Sequence, residues 1–150
     1  MKALIVVVGL SLAMCQADAQ KVKSNEVPAA VKNSLHKAYS MKDADWDKEG
    51  DSFEANFEQN GKEISVLFDA SGTVLEAETE IKKNELPQSV LEMLKKDYSA
   101  YEIEETAKIE SKGEISYEVE VEKGKQTFDL IFDANGKLVK KLSKKDEEKD

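Results

Sequence analysis

Asp43, Asp45, Asp47, Asp51 and Glu54 stand at the spacing of the acidic positions 1, 3, 5, 9 and 12 of a calcium-binding loop. Oxygen ligands in that pattern suit a hard divalent cation. The sixth position must be glycine for the sharp turn, and here it is Lys48. Trp46, between two of the aspartates, fits an extended strand with one buried face, and strand alternation explains the same spacing. A calcium-stabilised structural protein is therefore only the third reading of the chain. Other chemistry is thinner still. His36 is the single histidine. One step after Leu35, it is turned about 100° away from an apolar helical stripe. It reads as an exposed helix residue without the partner a catalytic dyad needs. Cys15 is the only cysteine, which excludes zinc of the His/Cys kind. Gly50, Gly61, Gly72, Gly113, Gly124 and Gly136 are spaced as turn residues, not as a phosphate-cradling loop. The expectation is no enzyme, no metal and no cofactor.

The elements that position these residues are written twice. Val27-Pro28-Ala29-Ala30-Val31, with Leu35 and Tyr39-Ser40, returns 59 positions on as Leu86-Pro87-Gln88-Ser89-Val90, with Leu94 and Tyr98-Ser99. Phe68-Asp69-Ala70-Ser71-Gly72 returns 64 positions on as Phe132-Asp133-Ala134-Asn135-Gly136. A tandem duplication is the economical explanation. Pro28 and Pro87 suit the first turn of a helix, where no N–H is lost. The spacing of Val31, Leu35 and Ala38 predicts a helix over 28–39. That of Val90, Leu91, Leu94 and Tyr98 predicts another over 87–99.

Strands fill the rest of each half. Ala44 and Trp46 alternate with aspartates, and Phe53, Ala55 and Phe57 alternate with Glu54, Asn56 and Glu58. Asn60-Gly61 marks a hairpin, after which Ile64, Val66 and Phe68 alternate, and a fourth strand runs from Thr73 to Ile81. In the second half Ile103, Glu105, Ala107 and Ile109 are placed on one face of a first strand. Ile115, Tyr117, Val119 and Val121 follow, then Phe128, Leu130 and Phe132, then a last strand from Lys137 to Leu142. Strict alternation means one buried and one wet sheet face. Lys21 to Glu26 reads as a polar leader, and Ser143 to Asp150 as a charged tail that frays.

Met1-Lys2, the apolar run Ala3 to Leu10 with Leu12 to Met14, and Ala17-Asp18-Ala19 have the anatomy of a secretory signal cleaved after Ala19. The mature chain, periplasmic or secreted, then lacks cysteine. A lipoprotein anchored through Cys15 is the alternative, with Met14 a poor fit before the cysteine. The division is 1–19 signal, 20–82 first repeat and 83–150 second repeat, the repeats forming one structural unit. Net charge is −9, and all 22 basic residues are lysine. Without the arginine fork, and on an acidic chain, nucleic acid is excluded as a partner. No segment is long enough for a membrane span.

The helix-opening prolines, the tyrosines closing the helices, Trp46, Asn60-Gly61 and the doubled Phe-Asp-Ala-x-Gly turn resemble the exported PepSY-like domains, whose fold is likened to that of the beta-lactamase-inhibitor proteins. The likeness runs from about Val27 to Leu142. It implies an α+β fold of two tandem helix-plus-strand repeats, with helices packed on one face of an antiparallel sheet. It brings no catalytic residues, and no segment here matches an inhibitory loop. The second repeat has no tryptophan matching Trp46; Ala107 or Ile109 is expected there.

The candidate site is the open sheet face. Leu67 and Ile131 fall out of phase with the core residues and match each other across the repeats. They are expected to form an apolar spot rimmed by Glu54, Glu58, Glu118, Glu120 and Glu122. The reading is an exported, non-enzymatic binding module whose acidic face takes a protein or peptide of basic character. The alternative is an inhibitor or modulator of an envelope enzyme such as a protease or beta-lactamase.

Overall fold

The structure, a computed structural model, describes residues 19–144. The apolar leader, Cys15 and the charged residues 145–150 lie outside the described residues. The chain divides into two compact units between Glu78 and Thr79, and within each unit strands pair antiparallel.

The first unit contains β1 (Gln20–Val22), α1 (Ala29–Tyr39), β2 (Asp45–Glu49), β3 (Ser52–Gln59), β4 (Lys62–Asp69) and β5 (Val74–Glu80), whose last residues cross the division. The strands neighbour one another in chain order. Pro28 precedes α1 in extended geometry, and Ser40 ends it with a left-handed φ of 56°, its N–H donating to His36 O at 2.9 Å. The helix sends Val31 and Leu35 into a cluster with Trp46, Phe53, Ala55, Ile64, Val66 and Phe68. Ala38, expected on that stripe, is exposed. Tyr39 packs there instead, edge-on to Phe57 at 5.2 Å. The leader is also corrected: Gln20 to Val22 pair with Lys48 to Trp46, so this segment is an edge strand.

The second unit contains a 3-10 turn at Lys83–Glu85, α2 (Gln88–Asp97), β6 (Glu102–Ser111), β7 (Glu114–Lys123), β8 (Gln126–Asp133) and β9 (Leu138–Lys144). Val90 and Leu94 join Val119, Val121, Leu130 and Phe132 in its core. The expected common face of β6 is overturned by a register shift. Ile103 pairs with Val121, but Glu105 pairs with Glu120, so Glu104 is an extra residue. An inserted residue flips every side chain after it to the other face. Ile103 therefore packs on the helix side, while Ala107 and Ile109 lie opposite Glu118 and Ser116 on the other side. The residue in the place of Trp46 is Thr106, not Ala107 or Ile109. It pairs with Val119 as Trp46 pairs with Ala55, and its hydroxyl donates to Ile81 O at 2.6 Å. β9 also continues through Ser143 and Lys144, which the sequence assigned to the tail.

The two Asp-Ala-x-Gly turns are built alike. Asp69 Oδ1 accepts from the N–H groups of Ser71 and Thr73, each at 2.9 Å. Asp133 Oδ1 accepts from those of Asn135 and Lys137, at 2.9 and 3.0 Å. Each turn then presses its glycine on the helix of its own unit. A Cβ on Gly72 would stand 2.7 Å from Ala30 O, and one on Gly136 2.5 Å from Ser89 Cβ. Both glycines also have φ above +80°. Gly72→Ala and Gly136→Ala should each cost at least about 2 kcal/mol in urea unfolding, from left-handed strain plus overlap with the helix. Gly61→Ala, in open space at φ +73°, should cost only about 1 kcal/mol.

Candidate functional site

β3 and β4 alternate strictly, so sending Phe53, Ala55, Ile64, Val66 and Phe68 beneath α1 places Glu54, Asn56, Glu58, Ser65 and Leu67 on the opposite face. Asp45, Asp47 and Glu49 of β2 join them there, because Trp46 points to the core. Rows across the strands follow from register. Asp47, Glu54 and Leu67 form one row, and Asp45, Asn56 and Ser65 the next. In the second unit Ala107, Glu118 and Ile131 form the row equivalent to the first, and Glu105, Glu120 and Asp129 the row equivalent to the second.

The structure thus sets Leu67 beside Glu54 and Ile131 beside Glu118. It does not leave them open as expected. Ile131 is 1 % exposed, Glu54 3 % and Glu118 8 %. Leu67 and Glu120 are half-buried; only Glu58 and Glu122 of the seven candidates are exposed. The single apolar spot expected to face solvent is not formed: Ile131 belongs to a buried row with Ala107 in the second unit, and Leu67 is half-buried beside Glu54 in the first. Of the expected acidic rim, Glu58 of the first unit and Glu122 of the second remain exposed. On the first unit the exposed Asp45 and the half-buried Asp47 and Glu49, which are not among the expected rim residues, share the face with Glu58.

Burial without a cation beside it governs Glu54. Ser65 Oγ donates to its Oε1 at 2.6 Å, and Asn56 Nδ2, bonded to Asp47 Oδ2 at 3.1 Å, lies 3.5 Å from its Oε2. Desolvation outweighs these donors, and Glu49 and Asp47 add like charge, so the Glu54 carboxyl is pushed up to about 7. Glu49 is raised too, by burial and then by Asp47 and Glu76.

The second unit solves the same problem with an ammonium group. Lys144 pairs with Glu120, and its Nζ stands 3.2 Å from Oδ1 of Asp129. Burial raises Asp129, and Lys144 opposes that rise. Burial also pulls Lys144 down, but bonds to Glu120 and Asp129 carry it above its ordinary value. Sequence reasoning missed this trio because it placed Lys144 in the tail. The calcium spacing dissolves into strands: Asp45 and Asp47 lie on β2 and Glu54 on β3. Among the described residues no group of three or more His, Cys, Asp or Glu side chains is arranged to hold a metal ion. His36 is exposed on α1.

The chain has a counterpart among known families. The sequence pattern of the PepSY-like family, described as "Putative beta-lactamase-inhibitor-like, PepSY-like", matches residues 13–75 and again 51–140. The chain belongs to the PepSY-like family. No curated protein matches it. A crystal structure from Bacteroides fragilis, described as a BLIP-like protein, is 29% identical with a TM-score of 0.66, covering 77% of this chain and 86% of that one. A second, from Bacteroides eggerthii, is described as a putative periplasmic protein. It is 17% identical with a TM-score of 0.74, covering 78% of this chain and 88% of that one. At that identity the likeness is one of fold. No helix among the described residues is long and apolar enough to cross a membrane.

Two outcomes follow for this PepSY-like chain. With the folded Glu54 carboxyl raised to about 7 from an ordinary 4.5, the unfolded chain loses that proton first. Glu54 should then subtract stability progressively as pH rises between those values, and by a constant amount above them. Measured against wild type, Glu54→Gln should gain relative stability from about pH 5 to about pH 8; urea midpoints across that range check it. Lys144→Met leaves Asp129 buried without its ammonium partner and should cost about 2 kcal/mol in the same assay.

Proposed function

We propose that this protein is an exported, non-enzymatic binding module that holds a lysine- or arginine-bearing protein or peptide on the sheet face opposite its helices. One observation carries the reading. On the first unit that face bears Asp45, Asp47, Glu49, Glu54 and Glu58 on two adjacent strands, in a chain of net charge −9. Complementary charge attracts and orients a cationic partner. The exposed Asp45 and Glu58 serve as the contact residues, with Asp47 and Glu49 half-buried behind them. The buried state of Ile131 removes it from the contact surface. Leu67, half-buried beside Glu54, is the remaining aliphatic contact.

Export rests on the N-terminal leader and on the description of the Bacteroides eggerthii neighbour. The two units are read as products of tandem duplication, each with its helix on the same side of its strands. A second reading, inhibition of an envelope enzyme, is favoured by the family's inhibitor-like description. It uses the same face with an enzyme as the partner.

Binding of a labelled lysine-rich peptide, followed by fluorescence anisotropy, separates this reading from a purely structural role. Affinity should fall about tenfold between low and physiological salt, as exposed charges are screened. The double variant Asp45→Lys with Glu58→Lys should lose the low-salt affinity while keeping the wild-type melting temperature. Equal binding by wild type and variant would reject the face.

A further inference from the structure

The chain carries Asn-Gly twice, at Asn60-Gly61 and Asn135-Gly136, and the fold treats the two pairs differently. We infer that Asn60 is a site of spontaneous deamidation and that Asn135, with the same sequence neighbour, is protected by its turn. In this reaction the backbone nitrogen of the following glycine attacks the asparagine Cγ and closes a succinimide ring. The side-chain amide leaves as ammonia, carrying away the proton lost from that nitrogen. Water then opens the ring at either carbonyl, giving aspartate or isoaspartate. The attacking nitrogen must be free, and the backbone must be able to swing it toward Cγ.

At Asn135-Gly136 both requirements are blocked. The Gly136 N–H donates to Asp133 O at 2.9 Å. The Asn135 and Lys137 N–H groups are bound to Asp133 Oδ1 at 2.9 and 3.0 Å. Gly136 is buried, and Ser89 of α2 sits where its Cβ would be. Swinging this nitrogen means breaking three bonds and lifting the turn from the helix.

At Asn60-Gly61 neither holds. Both residues are exposed at the tip of the β3–β4 hairpin. No heavy atom lies within 4 Å of the Gly61 Cβ position, and the Gly61 N–H donates to no carbonyl of the turn. Both residues have positive φ, 56° and 73°, so the peptide must rotate out of the turn before it reacts. Only the Gln59–Lys62 pair closes the ladder there, and hairpin tips open at low free-energy cost. The product adds a carboxylate next to Glu58 and Glu63, which already face each other across the strands. Its isoaspartate form lengthens a two-residue turn whose length sets the strand register.

The test is peptide mapping by mass spectrometry after incubating the folded full chain in mildly alkaline buffer, with a parallel sample in denaturant. Conversion of Asn60 should run several-fold faster than that of Asn135 when folded, with isoaspartate among the products. The two should convert at similar rates in denaturant. Asn60→Asp, which tolerates the same left-handed turn, should abolish the early mass gain with little change in melting temperature. Equal rates in the folded chain, a faster Asn135, or no conversion at Asn60 would overturn the inference.

Discussion

On β3 and β4 the backbone sends successive side chains to opposite faces, so the apolar set packed beneath α1 determines what the other face must hold. Ala55 and Val66 are wholly buried on the helix side, and their neighbours Glu54 and Ser65 are buried on the other, at 3 % and 2 % exposure. Two-sided burial of these central strands desolvates a carboxyl that alternation alone would leave wet. The hydrogen bond from Ser65, the Asn56–Asp47 contact and the raised Glu54 all follow from it. β7 and β8 obey the same rule: Val119 and Leu130 are fully buried on one side, Glu118 and Asp129 nearly so on the other.

The two units differ on that face although β3–β4 and β7–β8 pair in comparable register. Where the first has Asp47 and Glu49, the register of the second places Ala107 and Ile109. Ser65 is matched by Asp129, whose charge is met by Lys144 in the last strand. The first unit surrounds Glu54 with neutral donors; the second sets an ion-paired trio beside the row of Ala107, Glu118 and Ile131. Buried ion pairs add little net stability against apolar replacements, so the trio is better understood as fixing the end of β9 than as a large energetic gain. On the helix side, Lys141 lies over the Phe128 ring, 3.8 Å from its centroid, and covers an aromatic cluster with its aliphatic stem.

Much of this architecture was legible in the residues. Pro28 with Val31 and Leu35, Pro87 with Val90 and Leu94, and the Asp-Ala-x-Gly turns each carry a local physical cause, and the helices and turns stand where those causes place them. The bulge at Glu104 was not legible, because Glu104-Glu105 offers no signal of which glutamate is extra. The misplacement of Ala107 and Ile109 followed directly from it. Three residues of β1 are too few to show a period, and Lys144 in a lysine-rich stretch looked like tail. That Glu54 and Leu67, and Glu118 and Ile131, share a face follows from alternation, but their burial was not legible. Exposure depends on neighbours in space, and a glutamate between core residues reads as solvated whether or not the strands beside it shield it.

The most direct measurement is a carboxyl-carbon NMR titration of Glu54 in the folded protein, assigned with Glu54→Gln. A midpoint near pH 7, far above the ordinary 4.5, is what a desolvated carboxyl between Asp47 and Leu67 requires. A midpoint at the ordinary value would mean that this face is wet at its centre, and the account of the site would fall with it.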